Sequence, residues 1–77
     1  MSRKDGDALD LRGLKCPLPV LKTRKHMRDL ASGSRIVIAT TDPLAVIDIP
    51  HFCRENGHRL LSSATVDGGH SFVIEKG

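Results

Sequence analysis

The sequence predicts an α+β fold: a two-layer sandwich in which two helices cover one face of a four-stranded mixed sheet. A chain of 77 residues is long enough for one domain. Segments with strand-like and helix-like patterns follow one another in the order β-α-β-α-β-β. The last two strands flank Asp67-Gly68-Gly69, a typical hairpin turn.

The first half of the chain predicts a strand, a helix and a second strand. Residues 8–11 alternate apolar and polar side chains, and residues 35–40 are largely β-branched and apolar. Because a helix separates these strands, we expect them to be parallel. The expected helix carries, at helical spacing, Val20, Leu21, Arg24, Met27, Leu30 and Ala31. Residues 1–7 are polar, so we expect a flexible tail before a domain over residues 8–77.

The second half predicts a helix interrupted by proline, followed by the hairpin. Pro50 is tolerated in the first turn of a helix but not in its interior. We therefore expect a single turn over residues 43–47 and a main helix over residues 49–56, with Asp48 as its N-cap. Residues 60–66 and 71–75 are the expected hairpin strands.

Composition narrows the classes of function. The net charge is +3 and the aromatic residues are two phenylalanines, which disfavours direct nucleic-acid binding by base stacking. The sequence has no apolar run long enough to predict a membrane span. Its two cysteines fit a protein of a reducing compartment, the cytoplasm. His51 and Cys53 do not have the spacing of a zinc site, so we expect no metal and no cofactor.

The sequence Cys16-Pro17-Leu18-Pro19 is the strongest candidate site. A residue before proline avoids helical angles, so Cys16 fits an N-cap and Pro17 the first helical position. The prolines, Pro17 and Pro19, stiffen the segment and hold the thiol outward. The alternative is that Cys16 is buried and unreactive.

Nearby cations favour a reactive thiolate at this position. Arg12 and Lys15 precede Cys16, and Lys22 follows in the first helical turns. With the helix N-terminus, they predict that the pKa of Cys16 lies below its ordinary value. Cys53 has the spacing of a core residue on the second helix, although a role as resolving thiol stays open.

Further basic residues follow on the first helix. Arg24, Lys25 and Arg28, together with Lys22, form either a solvated helix face or a docking patch for an acidic partner.

The chain resembles the TusA/SirA-like sulfur-carrier family, and its TusA branch in particular. The resemblance rests on Leu11-Arg12-Gly13-Leu14-Lys15-Cys16-Pro17-Leu18-Pro19 and on Asp42-Pro43 followed by Asp48-Ile49-Pro50-His51-Phe52-Cys53. It spans about residues 8–76. The best-known TusA proteins carry an acidic residue where this chain has Leu18, which makes Leu18 a candidate for determining the choice of partner.

The resemblance implies a sulfurtransferase that works as a persulfide carrier. Cys16 would accept sulfur from a cysteine desulfurase and pass it to a relay protein or thiolating enzyme, most typically for 2-thiouridine in tRNA. Molybdenum-cofactor synthesis and sulfur oxidation are alternative destinations. Two other classes stay open: a regulatory or interaction module in which Cys16 senses redox state, and a small RNA-binding domain.

Overall fold

A computed structural model describes residues 7–77 and contains six elements. In chain order they are β1 (Asp7–Leu11), α1 (Leu18–Arg28), β2 (Arg35–Thr40), α2 (Ala45–Glu55), β3 (Arg59–Val66) and β4 (Gly69–Glu75). The predicted order β-α-β-α-β-β is confirmed. Of the segment expected to be a tail, residues 1–6 lie outside the described residues, while Asp7 begins β1.

The four strands form one mixed sheet in the order β1-β2-β4-β3. β1 runs parallel to β2, with Leu11 opposite Thr40 at the carboxyl ends of both strands. β4 pairs antiparallel with both β2 and β3. The connections that leave the carboxyl ends of β1 and β2 therefore start side by side, and this neighbourhood determines where the candidate site forms.

The core lies between the sheet and the two helices. Alternate side chains of β2 are buried, and Ile36 and Ile38 face the buried Ile74 and Phe72 of β4. Successive side chains of a strand point to opposite faces of the sheet, so these buried side chains all lie on one face, the face that the helices cover. The buried core consists of Leu11, Met27, Ile36, Ile38, Ala45, Ile49, Phe52, Cys53, Phe72 and Ile74. The predicted two-layer sandwich is confirmed.

The buried face of α1 agrees only in part with the predicted one, since Met27 is buried and Val20 and Leu30 pack against the core. The helix buries Pro19, Thr23 and Met27, which are four residues apart, while Leu21 is 48% exposed. The hydroxyl of Thr23 donates a hydrogen bond of 2.7 Å to the Pro19 carbonyl, which satisfies that hydroxyl in the core. Because two of these three buried residues, a proline and a threonine, are not strongly apolar, the apolar pattern of the sequence did not identify this face.

The second helix is continuous, and the predicted interruption before Pro50 was wrong. α2 begins at Ala45 and passes through Pro50, and Asp48 lies in its first turn instead of capping it. The N-cap is Leu44, and no side chain caps the helix there. Asp42 instead folds the turn before the helix, because its carboxylate accepts a hydrogen bond of 3.2 Å from the Leu44 backbone N–H. A proline in a helix interior costs about 3 kcal/mol. Burial along the whole helix offsets this cost, because its buried face includes residues from both predicted pieces: Ala45, Ile49, Phe52 and Cys53.

The hairpin of β3 and β4 confirms the turn prediction. Val66 pairs with Gly69, so Asp67 and Gly68 form a two-residue loop. Gly68 has a φ of 77°, a backbone conformation that glycine adopts without steric cost.

Candidate functional site

Cys16 lies on the connection between β1 and α1. Two backbone hydrogen bonds fold this connection, from the Leu14 N–H to the Leu11 carbonyl (3.2 Å) and from the Leu18 N–H to the Lys15 carbonyl (2.8 Å). A third bond ties it to the connection after β2, because the Gly13 N–H donates to Thr41 Oγ1 at 2.9 Å. Cys16 is thus held at the edge of the sheet where α2 also begins, and its side chain is exposed.

The helix starts one residue later than predicted. Pro17 is the N-cap of α1 and Leu18 its first residue, so Cys16 precedes the cap instead of forming it. The Leu21 N–H donates to the Pro17 carbonyl at 3.1 Å, the first bond of the helical ladder. The two prolines therefore occupy the N-cap and the second helical position, where a missing N–H breaks no intrahelical bond.

The thiol of Cys16 donates a hydrogen bond to Asp48. The distance from Sγ to Oδ2 is 3.1 Å, across a sequence separation of 32 residues. Asp48 lies in the first turn of α2, next to the fully buried Ile49. Packing of that neighbour fixes the helix beneath the carboxylate, so the sulfur and the carboxylate oxygen face each other across the two connections.

This contact overturns the prediction that the pKa of Cys16 is lowered. The hydrogen bond to Asp48 raises the pKa of the Cys16 thiol, with smaller contributions from desolvation and from the charges of Asp48 and Asp42. A carboxylate that accepts the thiol proton stabilises the neutral form and repels the thiolate. The Asp48 carboxylate in contact with the sulfur is therefore the largest influence on its ionisation.

The cations predicted to activate the thiol are placed differently. The Arg12 guanidinium pairs with Asp10 through hydrogen bonds of 2.8 and 2.9 Å, so its charge is largely compensated. Lys15, next to Cys16 in the chain, and Lys22 on α1 are both exposed to solvent. Charges in water are strongly screened, whereas Asp48 is in direct contact with the sulfur.

A groove of about 490 Å³ extends from Cys16 between α1 and α2. Its lining combines side chains of both charges with apolar ones. The lining residues are Cys16, Pro17, Val20, Arg24, Asp48, His51, Phe52, Glu55 and Asn56. Among the residues proposed for partner docking, Arg24 belongs to this groove.

The other proposed docking residues share the outer surface of α1. Leu18 is 42% exposed, and Lys22, Lys25 and Arg28 are exposed as well. Leu21 adds a further exposed apolar side chain that the sequence had assigned to the core. An apolar and basic surface thus starts beside the thiol.

Cys53 occupies a different environment. It is 2% exposed in the core, and burial raises the pKa of its thiol to about 11. A buried neutral thiol is a poor nucleophile, which agrees with its predicted place in the core.

Sequence reasoning missed several residues of the site. Asp48 was assigned to a helix cap, and His51, Glu55 and Asn56 were given no part in the site. One signal was available for Asp48: parallel β1 and β2 place the starts of α1 and α2 at one edge of the sheet.

The fold and the site define a class of protein: a small α+β domain that presents one exposed thiol where its first helix begins. Residues 7–76 match the sequence profile of the family described as Sulfurtransferase TusA. The sulfur carrier protein TusA of Buchnera aphidicola subsp. Baizongia pistaciae (strain Bp) is 38% identical over 72 residues, which cover 94% of this chain and 91% of the relative.

The chain therefore belongs to the TusA sulfurtransferase family, and this membership supports a role as a sulfur carrier. Within residues 7–77, neither helix is long and apolar enough to cross a membrane.

Proposed function

We propose that this protein carries sulfur as a persulfide on Cys16. The observation that carries the proposal is the contrast between the two cysteines: Cys16 is exposed beside the groove, and Cys53 is buried in the core. A sulfur atom that must pass between two proteins needs an exposed attachment point. The family relationship supports this reading.

The transfer is a thiol exchange in each direction. Sγ of Cys16 attacks the outer sulfur of a donor persulfide, R–S–SH; a bond forms between the two sulfurs and the donor's S–S bond breaks. The donor leaves as R–SH and Cys16 becomes Cys16–S–SH. An acceptor thiol then attacks the outer sulfur, and the Cys16 thiol is regenerated. Each exchange conserves atoms and electrons, so no external oxidant or reductant is required.

We propose a cysteine desulfurase as the donor and a relay protein or thiolating enzyme as the acceptor. The apolar and basic surface of α1 beside Cys16 suits a partner with an acidic rim around an apolar patch. Leu18 lies at the start of this surface, so it would contact whichever partner delivers or takes the sulfur. The expected setting is the cytoplasm, where a free thiol and a persulfide persist.

We propose 2-thiouridine formation in tRNA as the destination of the sulfur, on the strength of the family resemblance. Molybdenum-cofactor synthesis and sulfur oxidation are the alternatives. Quantifying 2-thiouridine in cells that lack the protein tests the destination. Restored 2-thiouridine with the wild type but not with Cys16→Ser supports it, and an unchanged level in the deletion strain contradicts it.

The family relationship favours the carrier over the redox-sensor alternative. The raised pKa of Cys16 does not separate the two, because oxidation by peroxide and attack on a donor persulfide both use the thiolate.

Radiolabelled cysteine tests the carrier role. With a desulfurase and [³⁵S]cysteine, the wild type and Cys53→Ala should gain label that a reductant removes, and Cys16→Ser should gain none. Label retained on Cys16→Ser would overturn the assignment of Cys16.

A further inference from the structure

The contact between Cys16 and Asp48 distinguishes the unloaded thiol from the loaded persulfide. A thiol has a proton to donate, and the 3.1 Å distance from Sγ to Asp48 Oδ2 is that of a hydrogen bond involving sulfur. A persulfide anion has no proton to donate and carries its charge on the outer sulfur. The same carboxylate therefore binds one state of Cys16 and repels the other.

The titratable and charged groups near this site come from three parts of the chain. Asp42, before α2, adds a second negative charge that acts on Cys16. On α2, His51 and Glu55 line the groove, and on α1 Arg24 lines it from the other side. Of these charges, Asp48 is the one in direct contact with the reacting sulfur.

The position of Asp48 is held by the fold. Asp48 is half-buried in the first turn of α2, and the next residue, Ile49, is fully buried. Because the backbone beneath the carboxylate is packed, the Asp48 side chain stays attached within reach of Cys16. Its charge therefore favours loaded conformations in which the outer sulfur is turned away from Asp48.

We propose that Asp48 is a positioning residue that biases the carrier toward giving its sulfur away. It holds the unloaded Cys16 thiol by a hydrogen bond and repels the loaded persulfide anion. The inference rests on the proposed function of Cys16 as the sulfur carrier, and it adds a reason why the sulfur leaves.

The bias acts on a balanced exchange, Cys16–S–S⁻ + R–SH → Cys16–SH + R–S–S⁻. The bond between Cys16 Sγ and the outer sulfur breaks, and a bond between the outer sulfur and the acceptor sulfur forms. The proton of the acceptor thiol ends on Cys16 Sγ, where it is donated to Asp48. The negative charge leaves with the acceptor, away from the carboxylate.

The exchange equilibrium with glutathione tests the proposal. Loaded wild type, Asp48→Asn and Asp48→Glu are equilibrated with glutathione, and the loaded fraction is read by mass spectrometry. Asp48→Asn should retain sulfur about three- to tenfold more strongly, the range for one partly screened charge in contact with the sulfur. Asp48→Glu should move back toward the wild type, and Asp67→Asn, the same change in the exposed β3–β4 turn, should behave as the wild type.

The pH profile of alkylation provides a readout that needs no sulfur loading. At neutral pH, Asp48→Asn should react with iodoacetamide about three- to tenfold faster than the wild type, since more of its Cys16 is ionised. At strongly alkaline pH the order should reverse, because a thiolate of lower pKa is the weaker nucleophile. A change of exposure alone would shift both ends of the profile in the same direction.

The outcomes separate the two claims. If wild-type Cys16 never acquires sulfur, the proposed function fails, whatever the alkylation profile shows. If Cys16 loads, but Asp48→Asn matches the wild type in both the exchange equilibrium and the alkylation profile, the role of Asp48 is overturned. Circular dichroism of each variant shows whether the fold is retained.

Discussion

Replacing Cys53 with alanine should make the protein less sensitive to alkaline pH. Burial raises the pKa of the Cys53 thiol from 9.0 to about 11. Between these values the unfolded chain loses the thiol proton while the folded chain keeps it. The unfolded state then binds fewer protons, so the free energy of unfolding falls as the pH rises. The contribution is fully present below pH 9 and is lost as the pH approaches 11.

The magnitude follows from the two pKa values. One pKa unit corresponds to about 1.4 kcal/mol, so at about pH 10.5 the wild type should have lost about 2 kcal/mol through Cys53. Cys53→Ala lacks this loss, although removal of the buried sulfur costs about 1 kcal/mol at every pH. The two stability curves should therefore converge, and then cross, as the pH rises from 8.

Urea unfolding of both proteins at a series of pH values measures the difference directly. Groups other than Cys53 titrate alike in the two proteins and cancel in the comparison. An equal loss of stability in wild type and Cys53→Ala would refute the reasoning. It would mean that the thiol ionises as readily in the folded protein as in the unfolded chain, and would reopen its role as a resolving thiol.

Two further predictions test the frame around the site. Gly69→Ala should lower the free energy of unfolding by about 1–3 kcal/mol, since a Cβ there would collide with the Thr40 carbonyl oxygen. An unchanged urea midpoint would contradict the close approach of β4 to the end of β2. The Asp10 carboxyl should titrate in an NMR experiment at about pH 2, because hydrogen bonds from Arg12 lower its pKa. Its stabilising effect is present above pH 3.8 and is lost as the pH falls toward 2. In Arg12→Ala this titration should return to the ordinary range, and a carboxyl that does not respond would show that the ion pair is not formed in solution.

The fold could be read from the sequence because its signals are local. The β-branched run over residues 35–40 and the Asp67-Gly68 turn each specify their element from neighbouring residues alone. The order of these elements in the chain then allowed few topologies in which both helices cover one face of the sheet. The exposure of Cys16 also followed from local rules, since a cysteine directly before a proline at a helix start has little chance of burial.

Tertiary contacts decided the features that the sequence misplaced. Local rules break a helix before Pro50, but burial of Ala45 before the predicted break and of Ile49 and Cys53 after it favours one continuous helix. The charge environment of Cys16 followed neither its chain neighbours nor the helix dipole. It depends on Asp48, 32 residues away, and only the pairing of β1 with β2 brings the two together.

The central claim is that Cys16 is the residue on which a sulfur carrier holds its sulfur. Intact-mass spectrometry tests this claim most directly. After incubation with a cysteine desulfurase and cysteine, the wild type should gain the mass of one sulfur atom, mapped to the peptide that contains Cys16 and removed by a reductant. Cys53→Ser should gain it equally and Cys16→Ser should gain nothing. Sulfur found on Cys53, or on neither cysteine while the desulfurase is active, would contradict the account.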